Sequence, residues 1–132
     1  MDIDSIAEKI FAVARERAKG EQIREVRIGL CYAGVRTSGG GMGMGAVLPG
    51  FNFRDCRALD GRGFAGRELP EVLAWLPKGR NPLERTLGLA AANAILNRGC
   101  EYLSGDSLEM MGLTREDRVC MVGRFPPLVS KI

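Results

Sequence analysis

The sequence predicts an α+β domain: a small antiparallel sheet, either a hairpin or a three-strand meander, followed by a layer of helices. Two observations carry this. Period-two alternation of apolar and polar residues is confined to residues 25–48, while helical spacing governs residues 4–19 and 68–111. Strand and helix signals are thus segregated along the chain, which argues against repeated βαβ units. A chain of 132 residues suits one domain, or one and a fragment of a second, with a core of its own.

The first helix is expected over Asp4–Lys19. Ser5-Ile6-Ala7-Glu8 has the form of a capping box. Ile3, Ile6, Ala7, Ile10, Phe11, Val13 and Ala14 make one broad apolar face, and Gly20 suits a C-terminal cap. From Glu25 to Tyr32, Val26, Ile28, Leu30 and Tyr32 alternate with Arg27, Gly29 and Cys31, the pattern of a half-buried strand. Ala33-Gly34 reads as a bulge and Ser38-Gly39-Gly40-Gly41 as a turn. Met42–Leu48 is the antiparallel return strand, ended by Pro49-Gly50. Phe51–Gly66 reads mainly as loop, with room for a short third strand near Arg54–Leu59.

Glu68–Leu76 reads as a short helix with Pro70 in its first turn, stopped by Pro77-Lys78-Gly79. Asn81-Pro82-Leu83-Glu84 is the best helix start in the chain: Asn caps, Pro fits the first position, and Glu can reach back. That helix runs through its alanines to about Asn97. It is apolar nearly all round, as a buried central helix should be. Asp106 caps a last short helix, Ser107–Met111, closed by Gly112, and Val119–Gly123 is the final strand.

Composition excludes several chemistries. There is no His, so neither a Ser-His-Asp nor a Cys-His pair can form, and the commonest metal ligand is missing. Net charge is +3, too mild to point to nucleic acid. Fifteen Arg stand against four Lys, a bias that suits bidentate contacts to carboxylate or phosphate. Cys31, Cys56, Cys100 and Cys120 form no C-x-x-C, so neither a zinc ribbon nor a disulfide framework is indicated. No signal peptide and no spanning apolar run are present, and a cytoplasmic protein with reduced thiols is expected.

The G-G-G-M-G-M-G run over Gly39–Gly45 fits no dinucleotide or phosphate-loop register and precedes no helix start. It suits a turn leading into a strand whose backbone lies close to something. Met42 and Met44 share one face of that strand. With Cys31 they offer soft sulfur donors of the kind that select Cu(I), or else they are core methionines. Arg54, Arg57, Arg62 and Arg67, interleaved with Asp55 and Asp60, read as an anion-binding lid or a self-paired solvated loop. Asn93, amid alanines, needs partners: a neighbouring strand or loop, or a ligand. Asp106 is explained as a cap, with general base as the alternative. After the last strand, Gly123 leaves room for a ligand, Arg124 can meet an anion, and Pro126-Pro127 sets the exit.

In order along the chain, several segments resemble the N-terminal part of the putative heavy-metal-chelation family. They are Val26–Tyr32, the Gly-Met-Gly-Ala return strand, Ala65-Gly66 with Glu68-Leu69, Asn81-Pro82-Leu83-Glu84, Asn93-Ala94 on the Ala-rich helix, Gly105-Asp106, and Val122–Leu128. The resemblance implies an enolase-N-terminal-like fold for residues 1–115. Residues 116–132 would then be the first strand and turn of a Rossmann-like domain that is otherwise absent. It also implies a site in the cleft between the two, faced by Asn93, Asp106, Gly123 and Pro126. The partner expected is a Rossmann-like domain or second subunit, and an unpaired apolar strand edge favours a homodimer.

Three functions follow as expectations. The first is a ligand-binding or accessory domain for a small anionic or metal-linked ligand. The second is half of an enzyme site for an anionic metabolite, with Asp106 as base and Arg124 as clamp. The third is a structural interaction module. The residues name no cofactor, metal or reaction.

Overall fold

The computed structural model describes residues 3–47, 63–101 and 103–120. The chain divides into two units, Met1–Cys100 and Glu101–Ile132. In the first, helix α1 (Ile3–Arg17) leads into a three-stranded antiparallel sheet of β1 (Ile23–Ile28), β2 (Tyr32–Thr37) and β3 (Met42–Ala46). Helices α2 (Leu69–Leu73), α3 (Trp75–Lys78) and α4 (Pro82–Leu96) follow. The second unit contains α5 (Ser107–Met111). This is the α+β order expected, and the sheet is a three-strand meander, although its strands are not those foreseen.

Helix α1 already contains Ser5, so Ser5 is not the residue ahead of the helix that a capping box requires. Its buried stripe is narrower than the sequence suggested. Ala7, Ala14 and, just past the helix end, Ala18 are buried, with Ile10 and Phe11 beside them, while Val13 is 57% exposed. At about 100° per residue, Val13 falls off the line joining those positions.

The strand expected over Glu25–Tyr32 is in fact two. The chain turns at Gly29–Cys31, where Gly29 N–H donates to Tyr32 C=O at 2.8 Å. Leu30 and Tyr32 are therefore exposed, whereas Ala33, Val35 and Thr37 of β2 are buried. Ala33-Gly34 lies in regular pairing with Arg27 and Ile28, and the irregular step sits between Ile23 and Glu25 instead. The Ser38–Gly41 turn is as expected, with Gly40 at φ 85°. Residues 66–68 run beside the start of β1, through Ile23 N–H to Arg67 C=O and Gly66 N–H to Ile23 C=O. A strand over Arg54–Leu59 lies outside the described residues. Of Val119–Gly123, only Val119 and Cys120 are described, and neither is in regular structure.

The helix expected over Glu68–Leu76 is split into α2 and α3 at Ala74. Pro77 has no N–H to return to the Leu73 carbonyl, so the helical ladder cannot run through. Leu69, Val72, Leu73 and Leu76 still pack into one core with α4. Phe64 meets the Trp75 ring edge-on, with centroids 6.2 Å apart.

Helix α4 is the centre of the unit and is buried on nearly every side. Asn81 caps it, accepting from Glu84 N–H at 2.8 Å. The Glu84 side chain does reach back, but to the Arg80 N–H at 2.7 Å, one residue beyond the cap. On one side, β3 lies directly on this helix. A Cβ added at Gly43 would fall under 3.0 Å from Ala90 O and Ala94 N, one at Gly41 from Ala94 O, and one at Gly45 from Thr86 O. On another side, a Cβ at Gly88 would strike the Leu76 backbone. The glycines and alanines thus let backbone pack on backbone, where any larger side chain forces the layers apart.

One carboxylate joins three connections. Glu21, between α1 and β1, accepts from Gly39 N–H at 2.7 Å and Ser38 Oγ at 3.1 Å in the β2–β3 turn. It also pairs with Arg98 just past α4. Burial works against its ionised form. The hydrogen bonds from Gly39, Arg98 and Ser38 outweigh burial and hold the carboxyl below the ordinary glutamate value.

Two consequences are measurable. Gly43→Ala should cost about 1–3 kcal/mol in urea unfolding, since the added methyl meets fixed backbone. Gly34→Ala, whose Cβ would have only Gly43 O at 3.8 Å, should stay within about 0.5 kcal/mol of the parent. Equal costs at both positions would contradict the close packing. Glu21→Gln should cost about 1–2 kcal/mol near pH 7. Because the folded carboxyl titrates below its unfolded value, its contribution is whole above the unfolded value and is lost as pH falls through the folded one. The gap between parent and variant should therefore close on acidification below the ordinary glutamate range. A gap independent of pH would show that the charge is not what matters.

Candidate functional site

Asn93 projects from α4 toward the edge of the sheet. Thr37 N–H donates to Gly41 C=O and Val47 N–H to Cys31 C=O, so Gly43 and Gly45 turn their amide and carbonyl groups toward β2. The intervening residues of β3 direct theirs to the free edge. Asn93 Nδ2 donates to Met44 C=O at 2.8 Å, and Thr86 Oγ1 to Ala46 C=O at 3.1 Å. Two side chains of α4 therefore cap an edge strand, a position that otherwise invites pairing with another chain. Through Nδ2, Asn93 has the strand partner that one of its two readings expected, and its Oδ1 accepts from no described donor.

Asp106 lies in the second unit and caps α5, accepting from Leu108 N–H at 2.9 Å. It lines a hollow of about 700 Å³ together with Glu109, Thr114, Arg115 and Asp117. Asp117 accepts from Thr114 N–H at 2.7 Å and Thr114 Oγ1 at 2.9 Å, and these bonds hold its carboxyl below the ordinary aspartate value. Gly123, Arg124 and Pro126 lie outside the described residues, as do Arg54, Arg57 and Arg62 of the arginine-rich stretch. Arg67 of that stretch sits over the Phe64 ring, 5.3 Å from its centroid, and donates to Gly63 C=O.

The sequence did not single out a second hollow, of about 540 Å³, at the start of α4. Ala7, Leu76, Pro82 and Leu89 give it apolar walls, and Arg80 and Arg85 stand at it. Arg80 pairs with the buried Glu84 at 3.0 Å, and Arg85 Nε donates to Gly79 C=O at 3.2 Å. Because a buried carboxyl group accompanies these arginines, the helix start is not a simple anion site. The available signal was Arg80 and Arg85 flanking the Asn-Pro-Leu-Glu start.

The methionines are not core residues. Gly41, Gly43 and Gly45 take the inward positions of their strand, so Met42 and Met44 face outward, 71% and 59% exposed. Met42 pairs in register with Arg36, Met44 with Gly34 and Ala46 with Tyr32. Cys31 is exposed at the β1–β2 turn and shares the parity of inward Ala33 and Val35, so the strand does not bring it to the two thioethers.

Among the described residues, no group of three or more His, Cys, Asp or Glu is placed to hold a metal ion. No described helix is long and apolar enough to cross a membrane. Cys31, Cys100 and Cys120 are free thiols.

Comparison with known proteins sets this geometry in a family. No curated protein matches the chain. A solved structure does: a protein of unknown function from the DUF364 family of Desulfitobacterium hafniense, 20% identical, with a TM-score of 0.59. The match covers 93% of this chain and 53% of that one, so the chain spans about half the length of that relative. The likeness supports the enolase-N-terminal-like α+β arrangement. The model of the family described as "Putative heavy-metal chelation" matches residues 11–96, from the middle of α1 to the end of α4, and the chain belongs to that family.

Proposed function

We propose that this chain is a ligand-binding or accessory domain whose site is completed by a second, Rossmann-like domain or by a second subunit. One observation carries the reading. Nearly the whole chain matches a solved structure, but it accounts for only about half of that structure's length. In this reading residues 1–115 are the enolase-N-terminal-like domain and residues 116–132 open the second. The same reading assigns Asn93, Asp106, Gly123, Arg124 and Pro126 to ligand binding. The open hollow beside Asp106 supports a ligand there.

The ligand is small and anionic, or linked to a metal. The family description favours a metal, yet the described nitrogen, thiolate and carboxylate donors do not gather around a common point. In this reading a metal in the cleft enters with the ligand or through donors of the partner. Free thiols support a reducing, cytoplasmic setting.

Thermal melting of the chain against divalent metals, inorganic phosphate and nucleotides tests the reading, with and without a separately made second domain. A binder at a hundredfold over its dissociation constant should add about 2.7 kcal/mol of stability. Arg124→Ala should reduce an anion's effect. Absence of any shift, with or without the partner, would overturn the ligand-binding role. Light scattering of the chain alone should show a dimer at high concentration, and a monomer there would remove the second-subunit version.

A further inference from the structure

The outward Met-Gly-Met of β3 is chemistry that the cleft does not use. We infer that Met42 and Met44 together chelate one soft monovalent cation, Cu(I) or its congener Ag(I), on the outer face of the sheet. Residues i and i+2 of a strand stand on one face about 7 Å apart along it. Each Met side chain has three rotatable bonds and a polarizable thioether, so two can converge on one ion. Both are exposed, at 71% and 59%, and so are free to move. The alternative of turning inward is closed, because the inward positions Gly43 and Gly45 of β3, and Gly41 just before it, cannot admit even a Cβ. Opposite Met44 stands Gly34, which has no side chain to occupy the space above it.

The choice of cation follows from the surroundings. Thioethers are neutral, soft donors and select soft ions over Zn(II) or Mg(II). The charged groups on the same face are Arg36, in register with Met42, and Arg27, ion-paired with Glu25 at 2.5 Å. A neighbouring guanidinium opposes a cation in proportion to the cation's charge, so it penalises a divalent ion more than a monovalent one. Two thioethers beside an arginine make a modest site, with solvent or a small anion filling the remaining coordination. The site uses none of the side chains proposed for the cleft, and either can fail without the other.

The test uses the full chain with its accessible thiols alkylated, titrated with Ag(I), and with Cu(I) under anaerobic conditions against a chromophoric chelator. One equivalent should bind at about micromolar or tighter. Met42→Leu/Met44→Leu keeps the volume of both side chains and should keep the circular dichroism spectrum. It should weaken binding by about tenfold or more. Affinity should not change between about pH 5 and 8, because a thioether carries no proton, whereas carboxylate or thiolate ligands would lose the ion in acid. Equal binding by parent and double variant, or loss of binding in acid, would overturn the site. So would the absence of any site of about micromolar strength, which would leave the exposed methionines as a contact for an apolar partner.

Discussion

The contact on which the rest of the first unit depends is the one between β3 and α4, where backbone lies on backbone. Three glycines at alternate positions meet Thr86, Ala90 and Ala94, which follow one another at four-residue steps. A strand advances about 6.6 Å per two residues and a helix about 6 Å per four, so the two ridges stay in step over this short length. The near match lets a strand with hardly any inward side chain bury its backbone against the buried central helix. The cost is conformational freedom in the unfolded chain, since glycine has more to lose than any other residue.

That contact determines what the sheet shows to solvent. With glycines inward, the larger residues of β3 must face out, so Met42 and Met44 are exposed although their neighbours are core. It also places Thr86 and Asn93 where they can satisfy the Ala46 and Met44 carbonyls. The edge of the sheet is thereby closed by side chains of the helix on which it packs. The same glycines serve packing, edge protection and the presentation of two thioethers.

Three carboxyl groups among the described residues hold backbone together. Glu84 receives the Arg80 amide at the start of α4, Asp106 receives the Leu108 amide at the start of α5, and Glu21 receives the Gly39 amide at the β2–β3 turn. In each case an amide that no regular element satisfies finds a side-chain acceptor.

The amino-acid sequence by itself determined the elements whose signals are local. Asn81-Pro82, Asp106 and Gly112 state where helices begin and end, because a cap acts within one turn. The all-round apolar character of α4 announced its burial without reference to any partner. The α+β order followed from where each periodicity occurs. Only the tertiary structure decided the rest. The β1–β2 turn at Gly29–Cys31 was hidden because Val26, Ile28, Leu30 and Tyr32 alternate straight through it, and alternation does not record where a strand folds back. The split of α2 from α3 depends on how Pro77 and the Gly88 contact share one short segment. Which face of Met42–Ala46 is buried was also undecided locally, since either a methionine or a glycine face could have met the core. The helix lying against it settled the matter: Ala90 and Ala94 leave no room between α4 and β3 for anything larger than hydrogen.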